Sequence, residues 1–108
     1  MNKTVTNLSL TYCSIDAKGA RAIFEILIYQ GSNLADLNLG GNHLRNEGVI
    51  QVLKGVGAAK NLTKIWLADN QFMEEDYVLE AIESCMKTNQ NLGKYDLRHN
   101  FIGDYGVK

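Results

Sequence analysis

Proline is absent from the 108-residue chain, and cysteine occurs only twice. Without proline, the bends of the backbone fall to glycines and asparagines, which tolerate turn conformations. Cys13 and Cys85 lie far apart and fit neither a zinc cluster nor a disulfide framework. An excess of charge is missing too. The net charge is −1, so no broad positive field exists to hold nucleic acid or an anionic membrane. No run of about 18 apolar residues occurs, which excludes a membrane-spanning helix. The opening segment, Met1-Asn2-Lys3-Thr4, is polar rather than signal-like, and points to an intracellular, cytoplasmic protein. Apolar residues at 45% and charged residues at 21% are ordinary for one soluble domain over residues 1–108.

What the sequence does have is a period. Four segments align without a gap: VTNLSLTYCSI from Val5, LADLNLGGNHL from Leu34, LTKIWLADNQF from Leu62 and LGKYDLRHNFI from Leu92. Each fits LxxLxLxx(N/C)xL with apolar residues at the leucine positions, and the starts are 29, 28 and 30 residues apart. Six residues beyond Cys13, Asn42 and Asn100 stand Gly19, Gly48 and Gly106. Apolar residues then recur at spacings of 3, 1 and 3, the mark of one helix face. They are Ala20, Ile23, Phe24 and Leu27, then Val49, Val52, Leu53 and Val56, then Val78, Ala81, Ile82 and Cys85. The third repeat lacks the glycine and carries one extra residue after Asn70, which predicts a distorted entry into its helix.

The 28–30 residue period, the LxxLxLxxN core and its NxLxxxG continuation resemble the ribonuclease-inhibitor-like subclass of leucine-rich repeats. The resemblance spans essentially the whole chain. It implies an α/β solenoid, a right-handed β-α horseshoe segment of about four repeats, the last incomplete. Parallel strands line the concave side and helices the convex side. The geometry has a simple cause: strands stack about 4.8 Å apart, whereas a helix is about 10 Å across, so the outer layer forces the stack to curve.

Within each LxLxx segment the alternation of a strand sends Leu8/Leu10, Leu37/Leu39, Ile65/Leu67 and Tyr95/Leu97 inward. Cys13, Asn42, Asn70 and Asn100 form a structural ladder where the chain leaves the sheet. A buried amide donates and accepts, and so satisfies backbone groups that have lost strand partners. Cys13 replaces asparagine there as a small, weak donor, and both cysteines read as core residues. The recurrent glycines permit a tight path into each helix.

The outward columns hold the candidate contact residues. They are Asn38, Lys64, Trp66, Asp69, Lys94, Asp96, Arg98 and His99. Trp66 is the single tryptophan, a residue type that dominates binding hot spots; the alternative is that it packs over Asn38 and Asp96. About a dozen outward residues fall short of the roughly 20–30 per side in a standard interface. No metal-ligand spacing, cofactor motif, small-molecule site or catalytic constellation is present.

The resemblance implies a protein-interaction module or scaffold, with a cytoskeletal or ciliary assembly as one setting. It leaves two alternatives: a regulator of a partner enzyme, either an inhibitor or a GTPase activator, and a sensor fragment of an innate-immune-type receptor. Repeat arrays need polar caps, and neither terminal repeat carries one. The expectation is a piece of a longer array, or a subunit that associates end to end through uncapped repeats.

Overall fold

The computed structural model describes residues 6–29, 33–73, 75–98 and 100. Strands and helices alternate: β1 (Asn7–Ser9), α1 (Ala17–Ile28), β2 (Asp36–Asn38), α2 (Arg45–Ala58), β3 (Lys64–Trp66), α3 (Asp76–Thr88) and β4 (Lys94–Asp96). The strands form one parallel sheet in chain order, β1-β2-β3-β4. Leu8, Leu37, Ile65 and Tyr95 stand in one row across it, the register of the gapless alignment. This is a leucine-rich repeat solenoid segment.

The strands are only three residues long, yet the ladder runs past their ends. The N–H groups of Leu10, Leu39 and Leu67 donate to the carbonyls of Asn38, Trp66 and Asp96 at 2.8–2.9 Å. Two residues on, Tyr12, Gly41 and Asp69 donate to Gly40, Ala68 and Arg98 at 2.9–3.0 Å. The core lies between sheet and helices. Leu37, Leu39, Ile65 and Leu67 fill it from the sheet side, and Ala20, Ile23, Leu27, Val49, Val52, Leu53, Val56, Val78 and Cys85 from the helix side. Phe24, Ala81 and Ile82 are half-buried, Phe24 beneath the Arg21 guanidinium at 5.3 Å. The edge repeats are more open: Leu8 and Leu10 are half-buried, and Tyr95 is 44% exposed. No described helix is long and apolar enough to cross a membrane.

The asparagine ladder follows one rule. Asn42 donates to Leu10 O (2.9 Å) and Leu39 O (2.8 Å), and its oxygen accepts from the N–H groups of Cys13 and Ile15. Asn70 donates to Leu39 O and Leu67 O, and Asn100 to Leu67 O and Leu97 O. Each amide thus joins its own repeat to the one before. Cys13 departs from the expectation. It is exposed, and its thiol turns to the carbonyl of Thr11 at 3.4 Å. Its backbone N–H is still tied to the ladder, donating to Asn42 Oδ1 of the next repeat at 2.9 Å. Cys85 is buried as expected.

A second correction concerns the bends. Among the described residues, positive φ angles occur at Tyr12, Ser14, Arg45, Asp69 and Gln71, and at one glycine, Gly41. Glycine and asparagine are therefore not the main bend formers. The interstrand bonds of Tyr12, Gly41 and Asp69 fix this conformation whatever the side chain, at the cost of local strain.

The recurrent glycines sit inside the first helical turn and leave room for a neighbouring side chain. A Cβ on Gly19 would lie 2.7 Å from Ile15 Cγ2, and one on Gly48 3.0 Å from Leu44 Cβ. Gly106 lies outside the described residues. In the third repeat Tyr77 takes this position, after a loop one residue longer than in the first two repeats. Asn46 of the preceding repeat braces that loop, accepting from Met73 N–H (2.7 Å) and donating to the Tyr77 hydroxyl (2.9 Å). A further buried amide, Asn89, donates to the carbonyls of Val56, Ala59 and Leu62 at 2.9–3.3 Å. It closes the other end of the second repeat.

Two measurements check this scheme. Asn70→Ala removes one of the two donors to each of the Leu39 and Leu67 carbonyls and the acceptor of the buried Leu44 N–H, and should lower stability by about 2 kcal/mol in urea unfolding, whereas Cys13→Ala should stay within about 0.5 kcal/mol. Burial pushes the Cys85 thiol up to about 11. At pH 8 a thiol reagent should therefore modify one cysteine quickly and the second only on unfolding. Equal rates for the two thiols would contradict the burial of Cys85.

Candidate functional site

The open face of the sheet carries the outward columns, and backbone alternation sets what they present. In the first column Asp36, Lys64 and Lys94 stand side by side, and in the next Asn38, Trp66 and Asp96. Trp66 does not stand free. Its indole N–H donates to Asp36 Oδ1 at 2.7 Å, and the Lys94 ammonium lies 4.7 Å from the ring centroid. An anion on β2 and a cation on β4 thus hold the indole of β3, leaving it half-buried. This differs from simple packing over Asn38 and Asp96, because the partners come from the neighbouring column.

Asp96 and Arg98 form a second fixed unit. Arg98 donates through Nε to Oδ1 (3.0 Å) and through Nη2 to Oδ2 (2.8 Å), a two-pronged contact. That contact raises the Arg98 pKa above its ordinary value, first through the hydrogen bonds and then through the charge of Asp96. Asn38 is held in the same manner as Asp96: each side-chain oxygen accepts the backbone N–H two residues on, from Gly40 and from Arg98.

Beyond the strand ends the face sinks into a shallow depression of about 540 Å³. Gly40, Gly41 and Ala68 form part of its lining, with Tyr12, Trp66, Asn38, Asp69, Asp96 and Thr11 around them. Gly41 makes the place for Tyr12. Its φ is +72°, and a Cβ there would fall 2.3 Å from the tyrosine ring. The ring therefore rests directly on the Gly41 backbone, yet stays 77% exposed.

Four of the residues singled out from sequence, Asn38, Trp66, Asp69 and Asp96, thus share one depression. Lys94 and Arg98 join it through Trp66 and Asp96, while Lys64 stays exposed on β3 and does not line it. His99 lies outside the described residues. Tyr12 and Asp36 also take part in this face and were not among the residues singled out from sequence. Tyr12 gave one signal, a bulky aromatic aligned with Gly41 of the next repeat. Asp36 gave none, since its role depends on the reach of the indole. No group of three or more His, Cys, Asp or Glu able to hold a metal occurs among the described residues.

A family model described as "Leucine Rich repeat" matches residues 2–24 and 32–52. This chain is a leucine-rich repeat protein. Among known relatives it is similar to "NACHT, LRR and PYD domains-containing protein 3" of Bos taurus, 34% identical over 91 residues, covering 82% of the chain and 8% of that protein. It is similar to "NACHT, LRR and PYD domains-containing protein 13" of Homo sapiens at 30% over 102 residues, covering 94% and 10%. "Protein NLRC5" of Mus musculus is 31% identical over 80 residues, covering 72% and 4%. The repeat chain spans a tenth or less of the length of these relatives.

The Tyr12–Gly41 contact is open to test. Gly41→Ala should cost about 1–2 kcal/mol, part from the left-handed backbone and part from the displaced ring. In a Tyr12→Ala background only the backbone part should remain. An unchanged penalty there would show that the ring contributes nothing.

Proposed function

We propose that this leucine-rich repeat segment is a protein-interaction module that binds its partner through the open face of the sheet around Trp66. The observation that carries the reading is the fixing of Trp66 between Asp36 and Lys94. An aromatic side chain already held in place loses little freedom on binding, and that is the character of an interface anchor. The surface is small beside a standard interface, so neighbouring surfaces contribute. Leu8, Leu10 and Tyr95 are natural candidates, since they are open where the middle repeats are closed. End-to-end association through them fits the behaviour of stacked repeats. The 28–30 residue period favours the ribonuclease-inhibitor-like subclass.

A second reading, a sensor fragment, draws on the relatives, two of which are named for NACHT and PYD domains as well as LRR. In that reading the repeats serve a larger protein as its recognition surface. Sequencing the full-length parent transcript separates the two, because a NACHT domain in the same open reading frame favours the second.

The test of the binding surface is affinity capture from the native source with wild type, Trp66→Ala and Lys54→Ala, the last an exposed residue of α2. Trp66→Ala should weaken one stoichiometric protein partner by about 30-fold, the effect of a hot-spot truncation, while Lys54→Ala leaves it bound. Retention by Trp66→Ala would remove the open face from the reading.

A further inference from the structure

We propose that the depression beside Trp66 seats a cationic side chain, an arginine or lysine, from an extended segment of the partner protein. The proposal rests on the open-face reading above and names the chemistry that face would select. Three features of the depression carry it.

The first is aromatic surface. Tyr12 and Trp66 both line the depression, and Tyr12 rests on Gly41 while remaining 77% exposed. The faces of aromatic rings attract cations. The chain itself shows the preference, because Lys94 already lies over the Trp66 ring.

The second is charge. Of the two carboxylates that line the depression, Asp96 is tied to Arg98 and is electrically matched. Asp69 is exposed and makes no side-chain hydrogen bond or ion pair with another described residue. The Lys94 ammonium already takes up the Trp66 ring, so the place left for an incoming cation is the exposed Tyr12 ring with the Asp69 carboxylate beside it.

The third is shape. Gly40, Gly41 and Ala68 keep the lining low, so a long side chain can lie along it with its head group near Asp69. An aliphatic side chain would meet the same rings but would leave the Asp69 carboxylate without a partner. Long, flexible and charged at the tip, arginine and lysine match this combination.

The experiment uses the full chain, labelled with nitrogen-15, and four blocked glycine-flanked pentapeptides whose central residue is arginine, lysine, leucine or glutamate. Trp66 is the single tryptophan, so one indole N–H resonance reports the site. The arginine and lysine peptides should move that resonance and the Asp69 amide at millimolar concentration, and the glutamate and leucine peptides should not. Asp69→Asn should weaken the arginine peptide by about two- to five-fold, the range of an exposed ion pair, and added salt should weaken it further. Asparagine adopts the left-handed conformation at position 69 readily, so the variant keeps the backbone. Equal shifts from the glutamate or leucine peptide, no movement of the indole, or no effect of Asp69→Asn would each overturn the cation assignment. None of these outcomes touches the open-face reading, which stands or falls on the Trp66→Ala capture.

Discussion

A single repeat of this chain cannot hold itself together, and the amide ladder is where that dependence is concentrated. Where each strand ends, the backbone turns inward and its carbonyls lose their sheet partners. Asn42, Asn70 and Asn100 each supply two donors, one to their own repeat and one to the repeat before. The same side chains accept N–H groups from the earlier repeat. Burying an unpaired carbonyl is costly, so the stack is favoured only when successive repeats are in register. Cys13 shows the converse. Its thiol lies 3.4 Å from the carbonyl of Thr11, within its own repeat.

That register is what builds the open face. The ladder holds the strands in one alignment, and Asp36, Lys64 and Lys94 become neighbours although they lie about 30 residues apart in sequence. Because Asp36 and Lys94 flank the position of Trp66, the indole meets an acceptor on one side and a cation on the other. A one-residue slip would send Trp66 into the core and Ile65 outward. The candidate site and the fold therefore share one determinant.

Much of this was legible in the sequence, and the boundary of legibility has a physical cause. The strands and their register recur in all four repeats, and the helix faces and the amides each in three, so each repeat is independent testimony to the same geometry. Features that occur once had no such support. Asn89 closes the second repeat through three carbonyls, yet its counterpart before Leu62 is Ala59, so no column marked it. Asn46 braces the third repeat because Tyr77 stands where the first two repeats have glycine, and the periodic pattern showed only that something there was irregular. The bends were misjudged for a related reason. Turn propensity favours glycine and asparagine, but interstrand hydrogen bonds impose the left-handed conformation on Tyr12 and Asp69 regardless.

These irregular positions are also where the open face acquires its character. A regular array would present equivalent residues along each column and so a uniform surface. Here the column after the strands reads Tyr12, Gly41 and Asp69, three residues with the same backbone conformation and unlike side chains. The shared conformation places them in line, and their differences create the relief: an aromatic ring, a flat seat for it and a carboxylate. Only glycine admits the Tyr12 ring at that distance, so the seat and the ring are one device rather than two. The period supplies a rigid frame, and departures from it at outward positions change the surface without disturbing the ladder beneath. Stability and the proposed binding surface thus reside in different columns of the same repeats, which lets the outward residues vary while the amides and inward leucines hold the stack.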